Sequence, residues 1–137
     1  MADYGTVDMV RAFLPHDARV DVSTFPTSAS VTTWLTQITN SVKVALLQGG
    51  YDVAALTSDQ TGALNMACSK EAAYMVLVAR GATSDAQHKP FWVSWHEEFV
   101  AMLKAMRDGL WAGASLDSGK PWSYTMESPS TTDTTIN

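Results

Sequence analysis

Between residues 31 and 51 the chain reads VTTWLTQITNSVKVALLQGGY, with apolar residues at Val31, Trp34, Leu35, Ile38, Val42, Ala45 and Leu46. Steps of three and four place them in one stripe along an α-helix. Thr27 or Ser28 supplies the N-terminal cap, and Gly49-Gly50 supplies a left-handed stop. A helix of roughly 20 residues is ~30 Å long, enough to cross a small domain. The remaining elements must therefore pack along it. Its outward face is Thr32, Thr36, Gln37 and Asn40, with Lys43 as the only charge in the segment. Surface helices ordinarily carry more charge, whereas the cores of subunit interfaces are depleted in it. Thr32, Thr36, Gln37, Asn40 and Lys43 are therefore candidate protein-interface residues; the plainer alternative is a neutral face in water.

Three further helices follow from the same rules. Thr6 caps a short helix over 7–14, with Asp8 in its first turn and Val7, Val10, Phe13 and Leu14 on one face. Pro15 ends it. Residues 15–27 form a connector in which RVDVSTF alternates enough for a short extended segment, closed by Pro26. A third helix runs from Ser58 or Asp59 to Arg80, with Gly81 as its stop; KEAAYMVLVARG is apolar on nearly all sides after Glu71, as in a central, buried helix. Pro90 opens a fourth helix that ends near Arg107 and Gly109. Phe91, Trp92, Trp95, Phe99, Met102, Leu103 and Met106 form its stripe, while Glu97, Glu98, Lys104, Arg107 and Asp108 face water. The expected fold is all-α: a small antiparallel bundle of about four helices over residues 1–110, followed by an extended tail over 111–137.

That tail changes character. It is rich in Ser, Thr, Gly and Pro and has no helical period, yet it carries Trp111, Trp122, Tyr124 and Met126. Large apolar side chains of this kind anchor a segment that orders on a partner. These four are the second set of candidate interface residues. The alternative for Trp111 is that it folds back on the bundle.

Composition narrows the function classes. Only 17% of the 137 residues are charged, and the net charge is −5 with no basic run. Phosphate contact needs clustered Lys and Arg, so nucleic-acid binding is disfavoured. The first fifteen residues carry Asp3 and Asp8 and lack the apolar core of a secretory leader, and no apolar run approaches a membrane span. Cys68, the only cysteine, sits among Met66, Ala67 and Ala72 and reads as an inert core thiol.

Catalytic patterns are missing. WHEEF lacks the second histidine of a zinc protease, and His88 and His96 have no third ligand, so His96 reads as a solvated helix residue. Glu97 and Glu98 are adjacent and point to different faces. Gly49-Gly50 ends a helix rather than opening one, the reverse of a phosphate cradle. No enzyme, cofactor or metal is expected.

The order of parts, TVDMVRAFLP, a long helix with an early Trp34 and a GGY end, an alanine-rich helix closing on VARG, and HEEFVAMLKAMRDG, resembles the head–tail connector (adaptor) proteins of long-tailed bacteriophages. The resemblance covers about residues 4–109. It is carried by Val10, Phe13, Leu14, Pro15, Val31, Trp34, Leu35, Ile38, Leu46, Gly50, Tyr51, Ala72, Ala73, Arg80 and Gly81. Relatives often place a proline soon after the Gly-Tyr, and YDVAALT has none. The resemblance implies a virion protein made in the host bacterial cytoplasm and located at the head–tail junction. It would form a ring, usually a dodecamer, against the portal protein, extend the DNA channel, and dock a neck (stopper) or tail-completion protein. DNA would pass through the lumen without specific binding, which a net negative charge suits. A soluble helical regulatory or adaptor protein with one protein partner is the competing expectation.

Overall fold

The computed structural model describes residues 3–15, 20–81 and 90–111. Its elements are α1 (Val7–Phe13), α2 (Ser28–Gln48), a 3-10 turn (Val53–Ala55), α3 (Ser58–Ala79) and α4 (Val93–Arg107). Among the described residues the fold is all-helical, as expected. α3 is central and packs against α1, α2 and α4. The core runs through Val10, Val31, Leu35, Val42, Leu46, Leu64, Cys68, Val76 and Met106, all essentially out of contact with water.

Helix ends follow local chemistry. Thr6 and Thr27 cap α1 and α2 through their side-chain oxygens, accepting from the backbone N–H of Met9 and Ser30. α3 starts at Ser58, as expected, behind a reciprocal cap at Thr57: Gln60 N–H donates to Thr57 Oγ1 at 3.1 Å, and Thr57 N–H donates to Gln60 Oε1 at 2.8 Å. The Gly49-Gly50 stop divides its labour. Only Gly50 adopts a left-handed backbone, φ 86°. Gly49 is right-handed, and its role is close approach: a Cβ there would lie inside van der Waals contact of the Met106 carbonyl. The C-terminal ends of α2 and α4 thus meet backbone to backbone.

Two expectations need correction here. The connector is not extended: Asp21 Oδ1 accepts from Ser23 N–H at 2.8 Å and Thr24 N–H at 3.1 Å, folding 21–24 into a turn. A short acceptor side chain two residues ahead of free N–H groups favours such a turn over a strand. Residues 90–92 form a turn ahead of α4, with Val93 N–H donating to the Pro90 carbonyl at 3.1 Å. Phe91 therefore precedes the helix, leaves its apolar stripe and is 70% exposed.

The N-terminal segment straps the bundle. Tyr4 N–H donates to buried Thr39 Oγ1 on α2 at 2.9 Å, and Gly5 N–H donates to Asn65 Oδ1 on α3 at 3.0 Å. Gly5 adopts φ 90° directly over Ser69, where no side chain fits.

Candidate functional site

The outward face of α2 is the first candidate. Thr32, Thr33, Thr36, Gln37, Asn40, Ser41, Val44, Leu47 and Gln48 are all exposed. The hydroxyls on this face are already used. Thr32 Oγ1 donates to the Ser28 carbonyl at 3.0 Å, Thr33 to Ala29 at 3.2 Å, and Ser41 to Gln37 at 3.1 Å. Thr36 Oγ1 lies 2.8 Å from Asp3 Oδ2 and 3.2 Å from the Thr32 carbonyl. A hydroxyl bonded to the carbonyl one turn back leaves its methyl or methylene outward. The face thus presents apolar carbon and the side-chain amides of Gln37, Asn40 and Gln48; covering it strands no hydroxyl, and a partner must supply acceptors for the amides. Lys43 stands at its edge, half-buried, with Nζ 5.6 Å from the centre of the Tyr4 ring. Four of the five candidates on α2 therefore lie fully on the face, and Lys43 borders it.

The tail candidates divide. Trp111 is buried in the bundle, 6% exposed, edge-on to Tyr51 with ring centres 5.8 Å apart. Tyr51 Oη donates to the Trp111 carbonyl at 3.0 Å. Trp111 thus folds back on the bundle, the alternative expected for it, one residue past the expected boundary at 110. Leu110 N–H closes on the Ala105 carbonyl at 2.8 Å, and that turn swings the indole back over the meeting ends of α2 and α4. Trp122, Tyr124 and Met126 lie outside the described residues, as do His16 and His88.

A cluster absent from the sequence reading joins α3 to α4. Glu71, 7% exposed, has both carboxylate oxygens 3.0 Å from His96 Nδ1. The His96 ring stacks on Tyr74, with centres 4.6 Å apart and planes 9° apart, and Trp92 tilts against Tyr74 at 5.7 Å. His96 is therefore not simply solvated, because an acid and an aromatic ring on α3 hold it. Burial pushes the Glu71 carboxyl above its usual range, and the hydrogen bond and charge of His96 pull it part of the way back. A Glu–His pair orients an imidazole, but hydrolytic chemistry also needs a nucleophile or a metal. Cys68 is fully buried, its thiol pushed up to about 12 by burial and then by the nearby Glu71 charge. Among the described residues no group of three His, Cys, Asp or Glu side chains could hold a metal ion.

The raised carboxyl sets a pH dependence. The folded state holds the Glu71 proton more tightly than the unfolded chain, where the ordinary value is 4.5. Its contribution to stability is therefore fully present below that value and is lost as pH rises through the folded-state value. Glu71→Gln removes the titration. Relative to wild type, the variant's thermal midpoint should climb as pH is raised from 4 through the weakly acid range, and a constant difference across that range would exclude the effect.

Two other surfaces stand out. Val22 and Phe25 in the connector are 84% and 76% exposed. The Phe25 carbonyl accepts from Arg80 Nε at 2.9 Å, which fixes this knob at the end of the bundle where α2 starts and α3 ends. A groove of about 320 Å³ lies between α3 and α4, lined by Ala63, Met66, Ala67, Trp95, Phe99 and Met102, with Lys70 and Glu98 also on its walls.

Among the described residues no helix is long and apolar enough to cross a membrane. Compared with known proteins, the chain matches no family model, no curated protein and no solved structure.

Proposed function

We propose that this chain is a structural protein of a bacteriophage particle, a ring-forming connector between the portal protein and the neck or tail, through whose lumen DNA passes without specific binding. The observation that carries the proposal is the α2 face. It is about 30 Å long, has no acidic residue of its own, has Lys43 and Arg107 only at its edge, and has its hydroxyls bonded to its own helix or to Asp3. Such a face suits permanent contact with another protein better than contact with water.

A closed ring needs two different surfaces on each protomer. The connector knob of Val22 and Phe25 supplies a second exposed apolar surface, on a separate element from α2. The acidic balance of the chain and the absence of a basic run suit a conduit that must not grip phosphate. The sequence order that resembles the adaptor proteins supports the same reading.

The direct test is to silence production of the chain during infection and image the lysate. Unjoined heads and tails are the expected result. Joined, infectious particles at normal yield would refute the proposal.

A further inference from the structure

We propose that the α3–α4 groove is a receptor for an extended apolar segment, and that its occupant is the chain's own residues 120–127, KPWSYTME. The groove offers apolar and aromatic walls: Met66, 49% exposed, with Ala63 and Ala67 on α3 and Trp95, Phe99 and Met102 on α4. The alanines leave the α3 wall low, so the hollow admits large side chains. Trp95 is held from above by Phe13, whose ring meets it edge-on at 5.9 Å, so this wall is fixed before anything binds. A rigid aromatic wall beside half-exposed methionine is suited to apolar side chains from another segment.

Residues 120–127 match it in two respects. Trp122, Tyr124 and Met126 alternate with Ser123 and Thr125, so an extended backbone puts all three large side chains on one side. The stretch from 122 to 126 is about 13 Å long when extended. The helical wall from Ala63 to Lys70 is about 10 Å long, so three anchors spaced two residues apart fit its length.

The connection is long enough. The described chain ends at Trp111, fixed at the C-terminal end of α4. From there Phe99 lies about 12 Å back along the helix, whereas residues 112–121 reach about 35 Å when fully stretched. A tether of that length holds the segment near the groove at high effective concentration, which favours the chain's own groove over that of a second copy. This inference concerns the free chain and does not depend on the ring.

The test uses the full-length chain with a benzophenone side chain in place of Tyr124, prepared as an equal mixture of light and heavy isotopes. After irradiation the linked peptides are read by mass spectrometry. Light–light and heavy–heavy products at Met66 or Met102 are expected. The substitution Met66→Lys, at a half-exposed position, should lower the yield at Met102 about tenfold, as loss of one buried apolar contact implies, while the thermal midpoint stays put. Light–heavy products at the same methionines would overturn the assignment in favour of a second copy. Products on α2, or none at all, would overturn the groove as the receptor. Head–tail joining is not measured here, so failure of this inference leaves the connector proposal to its own test.

Discussion

Gly49→Ala should lower the thermal midpoint of the chain by about 10 °C, the shift that a loss of roughly 3 kcal/mol produces in a domain of this size. Helix-propensity reasoning alone predicts the reverse. Gly49 has right-handed backbone angles that alanine adopts without strain, and exchanging Gly for Ala at a compatible position usually stabilises. The neighbours decide the sign. A Cβ at Gly49 would overlap the Met106 carbonyl oxygen, sit 2.9 Å from its carbonyl carbon and 3.2 Å from Tyr51 Cε2. The overlap is with backbone, which no rotamer change relieves. Prising the ends of α2 and α4 apart would also loosen Met106, which is fully buried, and the Tyr51–Trp111 contact beside it. Gly62 is the internal control. It lies in α3 with nothing within 4 Å of an added Cβ, so Gly62→Ala should raise stability by about 0.5–1 kcal/mol. Circular dichroism melts of the two variants read both outcomes. A Gly49→Ala protein as stable as wild type would mean that α2 and α4 do not meet as described.

The double substitution Gln37→Glu with Asn40→Glu should leave the bundle folded and exclude the chain from particles. Both residues are exposed on the neutral face of α2, so folding alone makes little use of them. In a ring every protomer would bring two carboxylates into the contact, and its cations, Lys43 and Arg107, stand only at the edge of that face. Burying unpaired charge of this kind costs several kcal/mol, and about 3 kcal/mol per contact lowers its equilibrium constant more than a hundredfold. A closed ring repeats the penalty at each contact. Ala101→Lys on the charged back of α4 changes the charge at an exposed site away from that face, and particles should accept it. Incorporation of the double variant at the wild-type level, with an unchanged melt, would return the α2 face to the solvent.

What the sequence disclosed and what it hid separate along physical lines. The caps at Thr6 and Thr27, the stop at Gly50 and the stripe from Val31 to Leu46 are set by residues within a turn or two of one another, and all are legible in the chain. The turn at Asp21 was legible too: an Asp followed by Ser and Thr signals it, but the alternation of RVDVSTF suggested a strand instead. The reason for Gly49 was not legible, because Met106 lies far along the chain. The Glu71–His96 pair is likewise non-local, although a lone carboxylate leading into KEAAYMVLVARG hinted that a polar partner must face it. The candidate site was half visible. Lack of charge marked the α2 face from the sequence, whereas only the structure reveals that its hydroxyls are turned back onto their own helix. Trp111 was visible as an anchor, but its socket, the Tyr51 ring, is formed only when α2 and α4 end together.

The connector proposal stands or falls most directly on a count. DNA-filled particles would be purified on a density gradient, and the copies of this chain measured against the portal protein by quantitative mass spectrometry with isotope-labelled standards. A fixed ratio near one to one is predicted, as for a ring seated on the portal. Absence of the chain from the particles would contradict the account and return the bundle to the class of soluble helical regulators.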